Sequence, residues 1–358
     1  QGFEKGHYSF SLGNTMSDGI IPETGLTRYN ARMNSEVRLT KHWSTGFNGN
    51  YVNMKIKKQP SANDGLVATV YGAPASYNLG GIPYNKPGAP TSQISFRNLT
   101  FDNPYWAVKN NRFEERSHRF FGNAFAKYNT DLADNMTLDV KYQLGIDSYT
   151  TNYEDTWGYG HKGDRGEIHL YDITINEINS LLTANYAWKI KEDLNFQAMV
   201  GNEIVDKHTR FIQTDGYNFN YAGWNHLNNS SVRNGDAWKQ NKRTFGLFAN
   251  LSLDWKNMLF LNVTGRNDIV STMPRGNRSF FYPSVSLGWI FTELPALKNK
   301  VLTYGKIRAS YAEVGQAGEY MPSYYSIPAY GGGFSSGTPI QYPIGSIVAY
   351  HPSTTIYD

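Results

Sequence analysis

The chain has 358 residues and no cysteine, and its 34 Lys and Arg against 30 Asp and Glu give a formal net charge of +4. This excludes a disulfide scaffold, a thiolate metal site and a thiol nucleophile, and the unclustered positive charge excludes nucleic acid as a partner. No run approaches the roughly 18 apolar residues of a membrane helix. The 26 Tyr and 8 Trp suit either a Tyr-rich secreted all-β protein or a membrane barrel, whose strands need only about 9–11 tilted residues.

The first predicted strand covers His7 to Leu12, with Tyr8, Phe10 and Leu12 on one side, and a Gly/Pro-punctuated turn follows over 16–25. The next is the cleanest in the chain. Tyr29, Ala31, Met33, Ser35, Val37 and Leu39 alternate with Arg28, Asn30, Arg32, Asn34, Glu36 and Arg38. Successive side chains of a strand point to opposite faces, so one face is apolar and the other ionic. A solvated face of a soluble sheet is the alternative for this strand taken alone. A turn at Lys41-His42 leads into a strand from Trp43 to Lys55, and an irregular segment then runs from about Ile56 to Glu115.

Strands are predicted over Phe120–Tyr128 and Thr137–Tyr149, joined by Asn129–Met136. In the second, Leu138, Val140, Tyr142, Leu144 and Ile146 oppose Asp139, Lys141, Gln143 and Asp147. A long polar segment, Thr150 to Ile175, precedes the pair Ile178–Trp188 and Leu194–Glu203. Another, Val205 to Lys242, precedes Phe245–Trp255 and Leu259–Asp268, which turn at Lys256-Asn257. In the last pair Val285, Leu287 and Trp289 oppose Ser284, Ser286 and Gly288, while Ile307, Ala309 and Tyr311 oppose Lys306, Arg308 and Ser310. The connection between them is expected to hold a helical turn around Leu294–Leu297. The Gly-rich run from Gly331 lacks the Gly-Lys-Ser/Thr ending of a phosphate loop and reads as flexible loop.

About eleven strands follow from this alternation. Their connections alternate between long and polar on one side and short on the other, the asymmetry of outer-membrane barrels. Trp43, Trp188, Trp255 and Trp289 lie beside short connections, in phase with an apolar face, and Tyr128 lies at another. They are expected to form a lipid-interface girdle. The ionic face, with Arg28, Arg32, Arg38, Lys141, Arg266, Asp268 and Arg308, would then line a wet interior.

No catalytic arrangement, cofactor motif or metal-ligand spacing is present in the sequence; the eight His are scattered. Glu154-Asp155 and the pair Asp164 and Glu167 are the nearest approach to paired carboxylates and read as solvated loop. Trp106, Trp157, Tyr159, Tyr217, Tyr221, Trp224 and Trp238 lie in the long segments among Asn, Asp and Gln. Flat rings in that company suit sugar recognition, the alternative being that they pack the loops against each other or against a partner.

Several short motifs occur in a telling order. They are Asp18-Gly-Ile-Ile-Pro-Glu-Thr-Gly, Asn103-Pro-Tyr-Trp ahead of Arg119-Phe-Phe-Gly-Asn, Arg266-Asn-Asp, Tyr282-Pro-Ser-Val-Ser-Leu-Gly-Trp, and Ile307-Arg-Ala-Ser-Tyr followed by Gly315. Together they resemble the SusC/RagA-type TonB-dependent outer-membrane transporters. The run Ile269-Val-Ser-Thr-Met-Pro-Arg-Gly departs from the Ser-Ser-Arg-Phe-Gly-like continuation of that family. The resemblance implies an all-β, antiparallel transmembrane barrel of about twenty-two strands around an N-terminal plug, of which residues 1–358 would supply about half. The plug and closing strands would be absent, and both chain ends read as cuts through something longer. It further implies import of an oligosaccharide or peptide, a SusD-like surface lipoprotein as partner, coupling to TonB through the plug, and ionic lumen residues that grip that plug. The alternatives are a passive porin or adhesin barrel and a secreted glycan-binding protein.

Overall fold

Period-two alternation dictates extended backbone wherever it occurs, and the antiparallel ladder that results is the main feature of the fold. The structure, a computed structural model, describes residues 2–60, 65–96, 100–273, 275–294, 296–297 and 300–315; the Gly331 run and Pro295 lie outside them. The strands are β1 (Gly2–Phe3), β2 (Gly6–Asp18), β3 (Gly25–Arg38) and β4 (Trp43–Lys58), then an insertion with helix α1 (Leu66–Gly72), β5 (Asn85–Lys86), β6 (Ala89–Gln93) and helix α2 (Pro104–Asn110). The long strands follow: β7 (Arg112–Ala133), β8 (Met136–Trp157), β9 (Glu167–Lys191), β10 (Leu194–Phe219) and β11 (Ser230–Trp255). Shorter β12 (Leu259–Val270), β13 (Ser279–Trp289) and β14 (Ile307–Ala312) complete the order. Apart from the β5–β6 hairpin, they form a 12-stranded sheet in sequence order.

Register fixes which side chains share a face. Leu251 lies opposite Val263, Val263 opposite Val285, and Val285 opposite Tyr311, while Ser252, Asn262, Ser286 and Ser310 form the row on the other face. In β2–β4, Leu12, Ala31 and Tyr51 are aligned, as are Phe10, Met33 and Gly49. A slip of one residue would exchange the two faces completely, so the apolar pattern itself holds the pairing. The turn at Lys256-Asn257 has positive φ at both positions (55° and 50°), and the Met258 amide donates to the Trp255 carbonyl at 3.0 Å. That is the primed turn whose twist matches a two-strand ribbon.

The chain folds as two compact units. The first comprises Gln1–Ala126, Gln143–Ile178 and Lys207–Asn241; the second comprises Lys127–Tyr142, Asn179–Asp206 and the chain from Lys242 onward. In the first unit the buried apolar residues are Trp106, Ala107, Phe113, Ile168 and Phe219; in the second they are Met258 and Val270. Neither is the core of a soluble sandwich. The large apolar side chains of the strands stay open, with Met33 47%, Leu251 45% and Leu287 50% exposed. Apolar surface of that extent marks an interaction with a non-aqueous medium or another protein.

The structure departs from the sequence reading in its polar stretches. Most of 150–175 and 205–242 is strand, leaving connections of only 158–166 and 220–229. There both faces are polar, so the hydrophobic alternation stops while the hydrogen-bonded ladder continues. Likewise β7 begins at Arg112, and its connection to β8 is Asp134-Asn135, so Tyr128 stands inside the strand. Among the described residues of 56–115 are the two helices and the β5–β6 hairpin. The turn expected at Leu294–Leu297 is preceded by a 3-10 turn at Phe291–Glu293.

Candidate functional site

The apolar face ends abruptly in side-chain hydrogen bonds. On β8 and β9, exposed Ile146 and Ile178 are followed by Ser148 Oγ donating to Asn176 Oδ1 (2.6 Å), Thr150 paired with Thr174 (3.1 Å) and Asn152 with Asp172. On β4 and β7, exposed Tyr51 and Phe120 give way to His118 Nδ1, which is met by the Tyr51 hydroxyl at 3.1 Å and Asn53 Nδ2 at 2.9 Å. On β10 and β11, Arg243 Nε donates to Asp206 Oδ2 at 2.9 Å, two residues before exposed Phe245. At the opposite ends of the strands stand the tryptophans. Trp43 opens β4, Trp255 and Trp289 close β11 and β13, and Trp188 lies near the end of β9. The ten-residue step from Trp188 to Ile178 is about 33 Å of extended strand at about 3.3 Å per residue; a tilt of about 40°, as in outer-membrane barrels, would convert it to about 25 Å, the height of their apolar band.

The polar face carries the ion pairs. Arg266 donates from Nε to both oxygens of Asp268 (2.8 and 3.0 Å) and from its terminal nitrogen to Glu203 (2.9 Å), with its guanidinium over the Phe248 ring. Arg28, Arg32 and Arg38 are exposed on β3, and Lys141 is half-buried on β8. Arg308 is exposed on β14 and, with Lys306, edges a groove of about 830 Å³ floored by Ser252, Asn262, Ser286 and Ser310.

In the first unit, the insertion between β4 and β7 packs against the tips of β8 and β9. Asn103 caps α2 by accepting from the Tyr105 amide at 2.9 Å, and Pro104 fills the first turn, where no amide hydrogen is needed. Asp102 gathers the insertion: its carboxylate accepts from Gln93 (2.6 Å) and the Lys162 amide (2.7 Å) and meets His161 Nδ1 at 2.5 Å. Burial alone would raise the Asp102 pKa, but the bonds and charge from His161, with the Lys162 amide and Gln93, hold it below the ordinary aspartate value. Gly160 makes the approach possible. Its φ is +108°, and a Cβ there would lie 2.1 Å from the Thr91 carbonyl oxygen.

Beside this latch lies an aromatic cluster. The His169 ring is 5.3 Å from Trp157 and 5.5 Å from Tyr217, both edge-on, and Trp157 meets Phe113 at 5.0 Å. Asp215 lies 2.6 Å from His169 Nδ1 and Glu167 3.6 Å from Nε2. A cavity of about 300 Å³ opens next to it, lined by Gln59, Thr69, Asp102, Trp157, His161 and Glu167. Rings, carboxylates and amides together can pack on a flat ligand face and take its hydrogen bonds.

Of the seven aromatic residues singled out in the sequence, only Trp157 and Tyr217 meet here; Trp157 ends β8 and Tyr217 lies near the end of β10, so neither is in a loop. Tyr159 is half-buried in the 158–166 connection. Trp106 is 0% exposed inside α2 and serves packing. Tyr221 and Trp224 are exposed on the 220–229 connection, where Trp224 stacks on His226. Trp238 stacks on Phe211. Asp102, His161, His169 and Asp215 went unnoticed in the sequence. The only local signal was Glu167, His169 and Tyr171 at strand spacing; their partners come from other strands. Of the carboxylate pairs, Glu154 faces Arg112 at 3.5 Å and Glu167 faces His169.

Residues 60–346 match the family described as TonB dependent receptor-like, beta-barrel. Two proteins of Formosa agariphila are similar: TonB-dependent receptor P26, 22% identical over 86% of this chain and 31% of its own length, and TonB-dependent receptor P3, 21% identical over 88% and 32%. The fold is similar to the RagAB peptide importer in its open-open state (TM-score 0.67, 19% identity) and its closed-closed state (TM-score 0.64, 18% identity). Each match covers 86% of this chain and 35% of that one. The chain thus spans about a third of the length of these relatives.

Proposed function

Because the chain belongs to the TonB-dependent receptor-like β-barrel family of the outer membrane, we propose that it is of the SusC/RagA type and forms part of the wall of an importer for a large nutrient, an oligosaccharide or a peptide. The observation that carries this is the opposition of faces. On β9 the apolar face gives way to a polar ladder ten residues before Trp188, and ion pairs such as those of Arg266 lie on the opposite, polar face.

On this reading, ligand lands on the aromatic tips Tyr221 and Trp224 and the rings around His169, and a SusD-like surface lipoprotein closes over it. Arg28, Arg32, Arg38, Lys141, Arg266, Asp268 and Arg308 face the lumen and hold a polar plug by polar contacts. Ligand binding biases the plug toward release, and TonB supplies the work that opens it, a population shift rather than a covalent change. The chain itself performs no bond chemistry. The decisive experiment is uptake of labelled oligosaccharides and peptides by cells carrying the full-length receptor, with and without TonB. Uptake that persists without TonB would replace this reading with a passive pore.

A further inference from the structure

On β4 the apolar face runs through Phe47 and Tyr51 and then changes to Asn53, Lys55 and Lys57, as the register with Tyr29, Thr27 and Gly25 shows. On β7 the same face runs outward from Phe120 through His118 to Arg116, Glu114 and Arg112. The Glu114 carboxylate is approached by Lys55 at 3.1 Å and by Arg112 at 3.2 Å, and Arg116 bonds its other oxygen. The Glu114 side chain is only 3% exposed, whereas Lys55, Arg112 and Arg116 are 38%, 52% and 52% exposed. One covered carboxylate thus gathers three cations whose outer surfaces remain open. Beside them is a groove of about 440 Å³ lined by Lys55, Lys57, Lys58, Lys109 and Arg112 against Glu23 and Glu114. Lys57 is drawn to Glu23 at 3.7 Å and Lys58 to Glu115 at 3.6 Å, surface pairs that exchange readily.

We propose that this groove binds the phosphorylated headgroup of an outer-leaflet lipid. Its depth argues for lipid rather than for a soluble anion. The cations begin one step beyond the bonds of His118 that end the apolar face, on the side that faces the bilayer and not the lumen. A lipid whose acyl chains lie along Phe47, Tyr51 and Phe120 therefore brings its headgroup to Lys55 and Arg112. Basic side chains at that level attract anionic headgroups, and a guanidinium matches a phosphate with two parallel hydrogen bonds. The inference rests on the membrane orientation and is independent of the substrate.

The test uses the purified full-length receptor in mild detergent, titrated by native mass spectrometry with a phosphorylated lipid A and with its phosphate-free counterpart of identical chains. The wild type is expected to prefer the phosphorylated lipid by about tenfold, a 1.4 kcal/mol difference. Combined Lys55→Gln, Lys57→Gln and Arg112→Gln should abolish the preference, while Arg28→Gln with Arg32→Gln, on the lumen face, should leave it intact. Folding of each variant is read from heat-modifiable gel mobility, and Lys57→Gln alone, expected to weaken the preference, serves if the triple variant does not fold. An unchanged preference in the folded triple variant overturns the proposal. So does displacement of the lipid by millimolar inorganic phosphate, which would mark a free-anion site. Equal retention of both lipids also overturns it, and leaves the cations as a docking patch for an acidic protein.

Discussion

Asp102 shows how a single side chain organises an insertion that has almost no core of its own. Its carboxylate joins the β6 strand, the residue that ends α2 and the connection after β8 through Gln93, Asn111, His161 and Lys162. Because its folded pKa is depressed below 3.8, its contribution is fully present above that value and is lost as the pH falls through the folded pKa. Hydrogen-exchange protection of α2, corrected for intrinsic rates, should therefore drop below about pH 4 in the wild type. In Asp102→Asn it should be low throughout and insensitive to pH in that window. Protection that stays flat in the wild type would show that the latch is held by other groups.

At the same scale, depth along a strand sets the cost of a charge. Leu182, on the apolar face of β9 midway between Ile178 and Trp188, is 45% exposed. Leu182→Lys should cost about 2–4 kcal/mol, and Thr174→Lys, within the polar ladder, about 0–1 kcal/mol. Urea titration of the receptor folded into lipid vesicles measures the difference. Equal costs would mean that the two positions meet the same medium.

Elements carry the next level of determination. The 220–229 connection is held from within by Asn229, 1% exposed, whose Nδ2 donates to the carbonyls of Tyr221 (2.7 Å) and Trp224 (2.6 Å) while its Oδ1 accepts from the Tyr221 amide (3.1 Å). This presents Tyr221 and Trp224 at little ordering cost when a ligand or lid arrives. Asn229→Asp keeps the acceptor but loses both donations, so it should loosen the tip and speed its proteolysis while leaving the strands intact. If the tip captures ligand, uptake should fall several-fold in parallel. The Lys256-Asn257 turn makes a complementary case: Asn257→Val, β-branched at positive φ, should cost about 1–2 kcal/mol, whereas Asn257→Gly should be tolerated. Refolding yield in detergent reads both.

For the molecule as a whole, the strands satisfy two solvents at once. Rows such as Leu251, Val263, Val285 and Tyr311 have no protein layer over them, and the rows behind them are Ser, Asn and Thr. In hydrocarbon every backbone polar group must be paired, and an antiparallel ladder of consecutive strands meets that demand everywhere except at its edges. The polar row is different in kind. Arg266 stands between Glu203 and Asp268, so Arg266→Met would leave two carboxylates facing each other and, on the proposed reading, a plug without its counter-charge. The expected outcome is a receptor that still inserts but leaks small solutes, measured as antibiotic sensitivity of the carrying cells. Unaltered sensitivity would remove Arg266 from the plug contact.

The sequence by itself determined the strand phase, the short turns and the family. The alternation of Met33 with Arg32, or of Leu144 with Gln143, is a local consequence of what each face touches. It missed the outer parts of the long strands, past Tyr149 on β8, before Ile178 on β9, past Glu203 on β10 and before Phe245 on β11, because where both faces are polar no alternation remains for the backbone to betray. Only tertiary structure brought Asp102 to His161, His169 to Asp215, and Lys55 to Glu114. Those partners sit on elements far apart in the chain, and their meeting depends on register and on how the connections fold back, long-range quantities that no local spacing encodes.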